Sequence, residues 1–503
     1  MEKDTFYKDT FVLTISNLAM AVIRFIFSIM LSEKLGAEGV GLYGLVMPIY
    51  DLFCCLVCGG IVASVSKEVS IFYGTSSYKN MKKSVRITVA FSVIWSIFIT
   101  LIMFIFSPFV SKYIIKDMRI LYSLWVLSPA LVFISISSVY KGYFFGVVEV
   151  KTPAIIDIVE KTMRMFITLT LIEVLMLRDI TKTVTATYAS FAIGEFVSFI
   201  LLFIYYRKSI RKFECITPYK KEEVENGPQL LYNTLSTAFP LGVNGLLTTI
   251  ISSVSTLIVP YQLVKAGFTH NMALESIGKF SGMALTIVFF PMVIVASMST
   301  ILVPDLSKSL TKKDYTGIEH RINEVIKMCF ILGLCITIIG IVIPKNLGML
   351  FYKRDDLGTF IKAAALSAPF LYASSCTYGI LNGLGKQKEI LVNSVLTALI
   401  ELILIYVLIR IPFINIMGYA IALFASSFIG FIINLKEIRK SVELYSNVGE
   451  IAIVSALTII IGLILNILNI VLPNDIFIVK NIILITIGFS LFFLCTFTIK
   501  KTS

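Results

Sequence analysis

Charge is scarce in this chain. Only 15% of its 503 residues are Asp, Glu, Lys or Arg, against roughly 25% in an ordinary soluble protein. Histidine and tryptophan occur twice each. His270 and His320 are far apart in sequence and offer no metal-ligand spacing, so no metal is expected. There is no Ser-His-Asp set and no P-loop. No catalytic residue and no cofactor is expected, and the chain reads as a non-enzyme. Eight cysteines are present, nearly all within apolar runs. This placement excludes a disulfide framework and makes them small packing residues. Cys55-x-x-Cys58 matches a redox pair only formally, because no thioredoxin-like βαβ pattern surrounds it.

What the chain has in excess is apolar length. Hydrophobic residues make up 57% of it, and its mean hydropathy is +0.90. Runs of about 20 apolar residues, each able to cross a bilayer core of roughly 30 Å as a helix, recur from end to end. Breaks at charge clusters, Gly and Pro predict an all-α, polytopic membrane protein with fourteen spans: 10–32, 40–64, 84–107, 120–145, 154–177, 184–206, 230–259, 279–303, 321–343, 359–382, 389–411, 414–434, 448–472 and 477–499. The N-terminal segment lacks a basic start and a small-residue cleavage site, so it reads as a retained first span. Lys and Arg fall mainly on the side that carries both termini, which predicts a multi-pass protein of the cytoplasmic membrane with both ends cytoplasmic. The same loops account for the net charge of +13, and no nucleic-acid partner is expected.

The two halves resemble each other. SSVYKGYFFGVVEVK begins at Ser137 and SSCTYGILNGLGKQK begins at Ser374, which pairs Gly142 with Gly379 and Gly146 with Gly383. A looser match sets Met47-Pro48 beside Phe290-Pro291, each followed some way on by Ser-Lys. An N-terminal lobe (1–206), a cytoplasmic linker (207–229), a C-terminal lobe (230–434) and two last helices (435–503) follow. Six helices per lobe is an even number, so the repeat is parallel, and such paired bundles work by rocking against one another.

Gly39, Gly41 and Gly44 in EKLGAEGVGLYGLVMPIYDLF fit G-x-G-x-x-G, but no strand precedes them. A dinucleotide site needs that strand. Here the glycines are expected to give a tight turn and close helix approach. That run, together with GYFFGVVEVKTPAIIDIVEKTMR and PMVIVASMSTILVPDLSKS, resembles the polysaccharide-flippase branch of the multidrug/oligosaccharidyl-lipid/polysaccharide (MOP) exporter superfamily, which includes the lipid II flippases. The resemblance implies an alternating-access exporter for an undecaprenyl-diphosphate-linked saccharide, most fittingly lipid II for the spore cortex. It also implies membrane lipids and envelope or spore-cortex synthesis enzymes as partners. Those flippases carry further arginines on helices 2 and 8, whereas this second span offers Asp51 and an apolar run.

Charges inside spans are expensive, at about 2.5–3.5 kcal/mol each at the bilayer centre on insertion scales, and usually face a partner or a cavity. Arg24 stands in the first span with Asn17 seven residues earlier on the same face. The fifth span carries Asp157, Glu160, Lys161 and Arg164. Glu195 and Glu401 sit within the sixth and eleventh. Arg24, Arg164 and Lys161 are candidate diphosphate ligands, since a guanidinium pairs bidentately with phosphate and stays charged. Glu160 and Arg164 equally suit a structural ion pair. Asn17, Asp51, Glu160, Glu195 and Glu401 are candidates for balancing these cations or holding a coupling ion. Pro48, Pro240 and Pro291 fall inside spans as candidate bending points. Two rival readings remain: a cation-coupled multidrug exporter of the same superfamily, and a non-transporting scaffold for envelope-synthesis enzymes.

Overall fold

A computed structural model describes residues 2–175, 179–216, 225–311, 315–442, 448–473 and 476–502. Part of the expected linker, 217–224, lies outside these residues. The described residues are helical, with no strand among them. The helices are α1 (Glu2–Cys58), α2 (Ile61–Gly74), α3 (Tyr78–Phe109), α4 (Leu121–Leu127), α5 (Ala130–Gly146), α6 (Lys151–Val174), α7 (Ile180–Ile216), α8 (Gly227–Lys265), α9 (His270–Ile277), α10 (Leu285–Phe289), α11 (Met292–Thr311), α12 (Tyr315–Val342), α13 (Pro344–Tyr352), α14 (Gly358–Ala365), α15 (Ala368–Gly383), α16 (Gln387–Leu408), α17 (Met417–Arg439), α18 (Val448–Val471) and α19 (Phe477–Thr502). A π-helical segment, Gly278–Ala284, joins α9 to α10.

Among the described residues nine helices are long and apolar enough to cross a membrane, or ten if Met118–Leu127 and Ala130–Gly146, bent by 41°, form one span. The protein is a multi-pass membrane protein. The count covers the described residues alone, so that of the expected segment 448–472 only Ala456–Val471 enters it, as a shorter apolar helix, and part of the remaining difference from fourteen segments has a physical origin. α1 carries two of them without a loop, departing from helical geometry only at Gly36 (φ 67°). The charges of α6 take it below the apolarity of a plain span. The expected segments 279–303 and 359–382 are each divided between shorter helices.

Two compact units form. The first comprises Met1–Arg24 and Leu42–Leu257; the second comprises Phe25–Gly41 and Ile258–Ser503. The core of the first unit gathers Val65 and Val69 of α2, Val85 of α3, Tyr140, Tyr143 and Phe144 of α5 and Leu202 of α7. The core of the second gathers Phe280, Val295, Ile318, Cys329, Tyr372, Ile380 and Leu423. Apolar side chains left on the outside, such as Ile94, Ile105 and Phe166, suit helices whose surroundings are lipid.

The repeated glycines do matching work in the two units. A methyl group on Gly142 would lie 2.8 Å from Val65 Cβ, and one on Gly146 would lie 2.6 Å from Val69 Cβ, so α5 seats directly on α2. In the second unit Gly379 meets Ser299 and Gly383 meets Leu306 in the same way, seating α15 on α11. Both helices then stop alike. The amide of Glu149 donates to Phe144 O (2.8 Å) and that of Lys386 to Leu381 O (2.9 Å), around a left-handed residue that is Val148 (φ 60°) in one and Gly385 (φ 76°) in the other. This is a Schellman ending, which closes the orphan carbonyls of a helix C-terminus.

The glycine-rich run acts by close approach. Within the second unit, a methyl on Gly41 would fall 2.0 Å from Leu274 O and one on Gly278 would fall 1.9 Å from Ala37 O. Backbone therefore rests on backbone where the segment 36–41 crosses α9. Ser28 Oγ donates to Gly282 O (3.2 Å), Phe25 stacks on Phe290, and Lys353 pairs with Glu33 (2.7 Å) along the same segment.

Candidate functional site

The first unit holds a charged cluster within its apolar helices. α6 places Glu160 and Arg164 one turn apart, and their carboxylate and guanidinium are in direct contact. Lys161 Nζ reaches the other oxygen of Glu160 at 2.6 Å. Arg164 extends toward Glu195 of α7 (3.5 Å) and lies over the Phe191 ring, 3.7 Å from its centroid. Glu160 is 2% exposed and Glu195 is 8% exposed. Gly194 makes the room: a methyl there would sit 2.8 Å from Glu160 Oε1. Toward the start of α6, Asp157 accepts from Lys141 Nζ of α5 at 2.7 Å. Lys141, Lys161 and Arg164 thus face Asp157, Glu160 and Glu195, and the cluster balances its own charge. Burying so many charges is tolerable only with such pairing.

Lys141 was not among the sequence candidates. Its signal was a lone Lys one residue before the repeated Gly142, where the other half has Tyr378. At the matching positions the second unit carries mainly neutral groups, with one acid, Glu401. Tyr378 OH lies 3.3 Å from Thr397 Oγ1, Asn393 Nδ2 donates to Asn434 Oδ1 (2.9 Å), and Asn434 Nδ2 donates to Thr377 Oγ1 (3.0 Å). Glu401 accepts from Ser426 Oγ at 3.0 Å.

Arg24 stands apart from this cluster. It is exposed on α1, and among the described residues it makes no ion pair or hydrogen bond. Asn17, two turns before it, is exposed and without a hydrogen bond in the same sense. Asp51, farther along α1, is likewise exposed and meets no cation there. The prolines differ in effect. α1 continues through Pro48, whose carbonyl accepts from Ser253 Oγ at 2.9 Å. α8 continues through Pro240, and the helix is interrupted at Pro291, between α10 and α11.

Outside the spans, the turn between α13 and α14 carries an ion network of its own. Asp356 bonds Arg354 (2.7 Å) and Lys279 (2.8 Å), and Lys279 also reaches Glu275 (2.7 Å). The Arg354 hydrogen bonds, with Lys279 beside them, hold the Asp356 carboxyl well below the usual carboxylate range.

Comparison with known proteins bears on the family and the fold. The model of the polysaccharide biosynthesis protein family matches residues 6–310, and the MatE model matches residues 240–407. Stage V sporulation protein B of Bacillus subtilis (strain 168) is 25% identical over 466 residues, covering 92% of this chain and 89% of that protein. Lipid II flippase MurJ of the same strain is 22% identical over 460 residues, covering 85% of this chain and 80% of that protein. A solved structure of lipid II flippase MurJ in an inward closed conformation shares the fold, with a TM-score of 0.71 at 17% identity over 97% of this chain and 98% of the other.

Proposed function

Because the chain belongs to the polysaccharide biosynthesis protein family, whose model matches residues 6–310, we propose that it is a flippase for a lipid-linked saccharide, most fittingly lipid II. The similarity to a lipid II flippase and to a sporulation protein supports that cargo and a role in spore-cortex synthesis. Both termini are assigned to the cytoplasmic side, in keeping with the distribution of Lys and Arg. Transport proceeds by alternating access, with no covalent step.

One observation carries the reading. Arg24 is a cation within an apolar helix, exposed and unpaired among the described residues, and an unpaired intramembrane charge calls for a ligand. A polyprenyl diphosphate supplies the complementary charge, and guanidinium meets phosphate through two parallel N–H···O bonds. Asn17 on the same face adds an amide able to bind the sugar or phosphate oxygens. Arg164, engaged by Glu160 and reaching Glu195, ties α6 to α7, and Lys161 is engaged by Glu160 of its own helix.

The test is translocation of a fluorescent lipid II in proteoliposomes by the intact protein, Arg24→Ala and Arg24→Lys at equal incorporation. Arg24→Ala is expected to lose transport by about tenfold or more, the equivalent of about 1.4 kcal/mol of lost binding to the moving headgroup. Its unfolding midpoint should stay unchanged, and Arg24→Lys should recover part of the rate. Full transport by Arg24→Ala would remove the residue from the mechanism. The MatE match over residues 240–407 favours a second reading, cation-coupled export of drug-like compounds. Efflux of an amphiphilic cation, faster under an imposed ion gradient and absent for lipid II, would select it.

A further inference from the structure

The start of α8 is tied to α2 and α3 around one acidic side chain. Glu68 of α2 is 7% exposed. Its Oε2 contacts the Thr234 hydroxyl of α8 and accepts from Ser84 Oγ of α3 at 2.9 Å. Ser64, one turn earlier on α2, contacts Thr234 O. Just before α8, Glu225 N donates to Asn80 Oδ1 (3.1 Å) and Lys83 Nζ donates to Glu225 O (2.6 Å).

Nothing among the described residues neutralises Glu68. No ion pair reaches it, and its Oε1 is buried without a hydrogen-bond partner. From α3 it is faced by the Ser84 hydroxyl, with Lys83 committed to the Glu225 carbonyl. From α8 it is faced by Thr234, and the charge that acts on it from that side is a second carboxylate, Glu225. α5 offers α2 the glycines 142 and 146 beside Tyr143, whose hydroxyl lies 3.0 Å from Ser209 Oγ. Lys67, the neighbour on α2, is exposed and turned about 100° around the helix. A bare carboxylate buried in this way is costly, and the usual remedy is a proton.

The hydroxyl geometry leaves room for that proton. Thr234 Oγ1 has one proton and two acceptors in reach, Glu68 Oε2 and Leu230 O at 3.1 Å. If that proton goes to Leu230 O, the Thr234 oxygen presents a lone pair to Glu68, and the carboxyl itself becomes the donor. We propose that Glu68 is a proton-binding site, neutral while the start of α8 rests on α2 and α3, and that loss of its proton releases that end of α8. The site is independent of the cargo assigned above.

Infrared spectroscopy of the full chain in detergent, between about pH 5 and pH 9, tests it together with hydrogen exchange over residues 227–240, corrected for the intrinsic pH dependence of exchange. The intact protein should show a carboxylic-acid carbonyl band that fades as pH rises and is missing from Glu68→Gln. Over the same range the start of α8 should lose protection by about tenfold, whereas in Glu68→Gln, whose amide oxygen still accepts from Ser84, protection should not change with pH. The proposal is overturned if the intact protein keeps constant protection, if the two spectra share every acid band, or if added sodium rather than protons restores protection at high pH. The exchange profile of the intact protein decides even if Glu68→Gln fails to fold.

Discussion

The repeated helix endings allow a stability prediction with its own internal control. Val148 and Gly385 occupy matching positions after α5 and α15, both left-handed, at φ 60° and φ 76°. Glycine enters that region freely, whereas an L-residue with a Cβ meets the following carbonyl at about 1–2 kcal/mol. Val148 is 64% exposed, so replacing its side chain sacrifices little burial. Val148→Gly therefore relieves most of that strain and loses roughly 0.5–1 kcal/mol to the greater freedom of glycine in the unfolded chain. The balance is a gain of about 0.5–1 kcal/mol. Gly385→Val is the reverse experiment. A methyl at Gly385 would meet nothing within 4 Å, so its effect comes from the backbone alone, and a loss of similar size is expected. Thermal unfolding in one detergent at one scan rate compares the three proteins. A lower midpoint for Val148→Gly, or an unchanged one for Gly385→Val, would refute the equivalence of the two endings.

Gly278→Ala should destabilise the second unit by about 1–3 kcal/mol as an overpacked contact, because its methyl would lie 1.9 Å from Ala37 O, while Gly44→Ala, with nothing within 4 Å, should be tolerated; unfolding midpoints distinguish them. Glu160→Ala strips the buried partner from Lys161 and Arg164 and should cost about 3–5 kcal/mol, with Glu160→Gln less damaging; equal midpoints for Glu160→Ala and the intact protein would show the pairs to be idle. Asp356 has a folded-state pKa below its unfolded value, so its contribution is complete above the ordinary Asp value of about 3.9 and disappears as pH falls below it. Hydrogen exchange around the α13–α14 turn should therefore be insensitive to this group between about pH 5 and pH 8, accelerate in stronger acid, and lose that acid step in Asp356→Asn.

Glycine spacing carried more of the fold into the sequence than apolar length did. Gly142, Gly146, Gly379 and Gly383 are legible because close helix contact excludes every larger side chain, and the structure puts them at such contacts. Span boundaries are less legible, since hydropathy does not record where a helix bends. α1 absorbs an expected turn in the single residue Gly36, and the 120–145 segment breaks beside Pro129, between α4 and α5. The charged stripe of α6 was readable from its 157/160/164 spacing. Its closure by Lys141 was not, because that partner comes from another helix, and tertiary neighbours leave no local pattern. Glu68 escaped notice for a related reason: beside Lys67 it reads as an ordinary charged helix end, and only the packing of α3 and α8 reveals it as buried.

Charge balance separates the candidate cations by what an incoming anion would have to undo. At Arg164 a diphosphate must displace Glu160 and Glu195, leaving carboxylates unpaired in a buried setting, and breaking a buried pair costs about 3–5 kcal/mol. At Lys161 it must displace Glu160 from a 2.6 Å contact. At Arg24 no described partner stands in the way. A transporter must also release what it binds, so the useful cation is one whose free state is tolerable as well as its bound state. An exposed guanidinium meets that condition, because its free state needs no buried partner. Transport should consequently be more sensitive to Arg24 than to Lys161, and stability more sensitive to Arg164 than to Arg24. Measuring both quantities on the same three alanine variants separates binding from scaffolding, and the opposite ordering would assign the headgroup to α6.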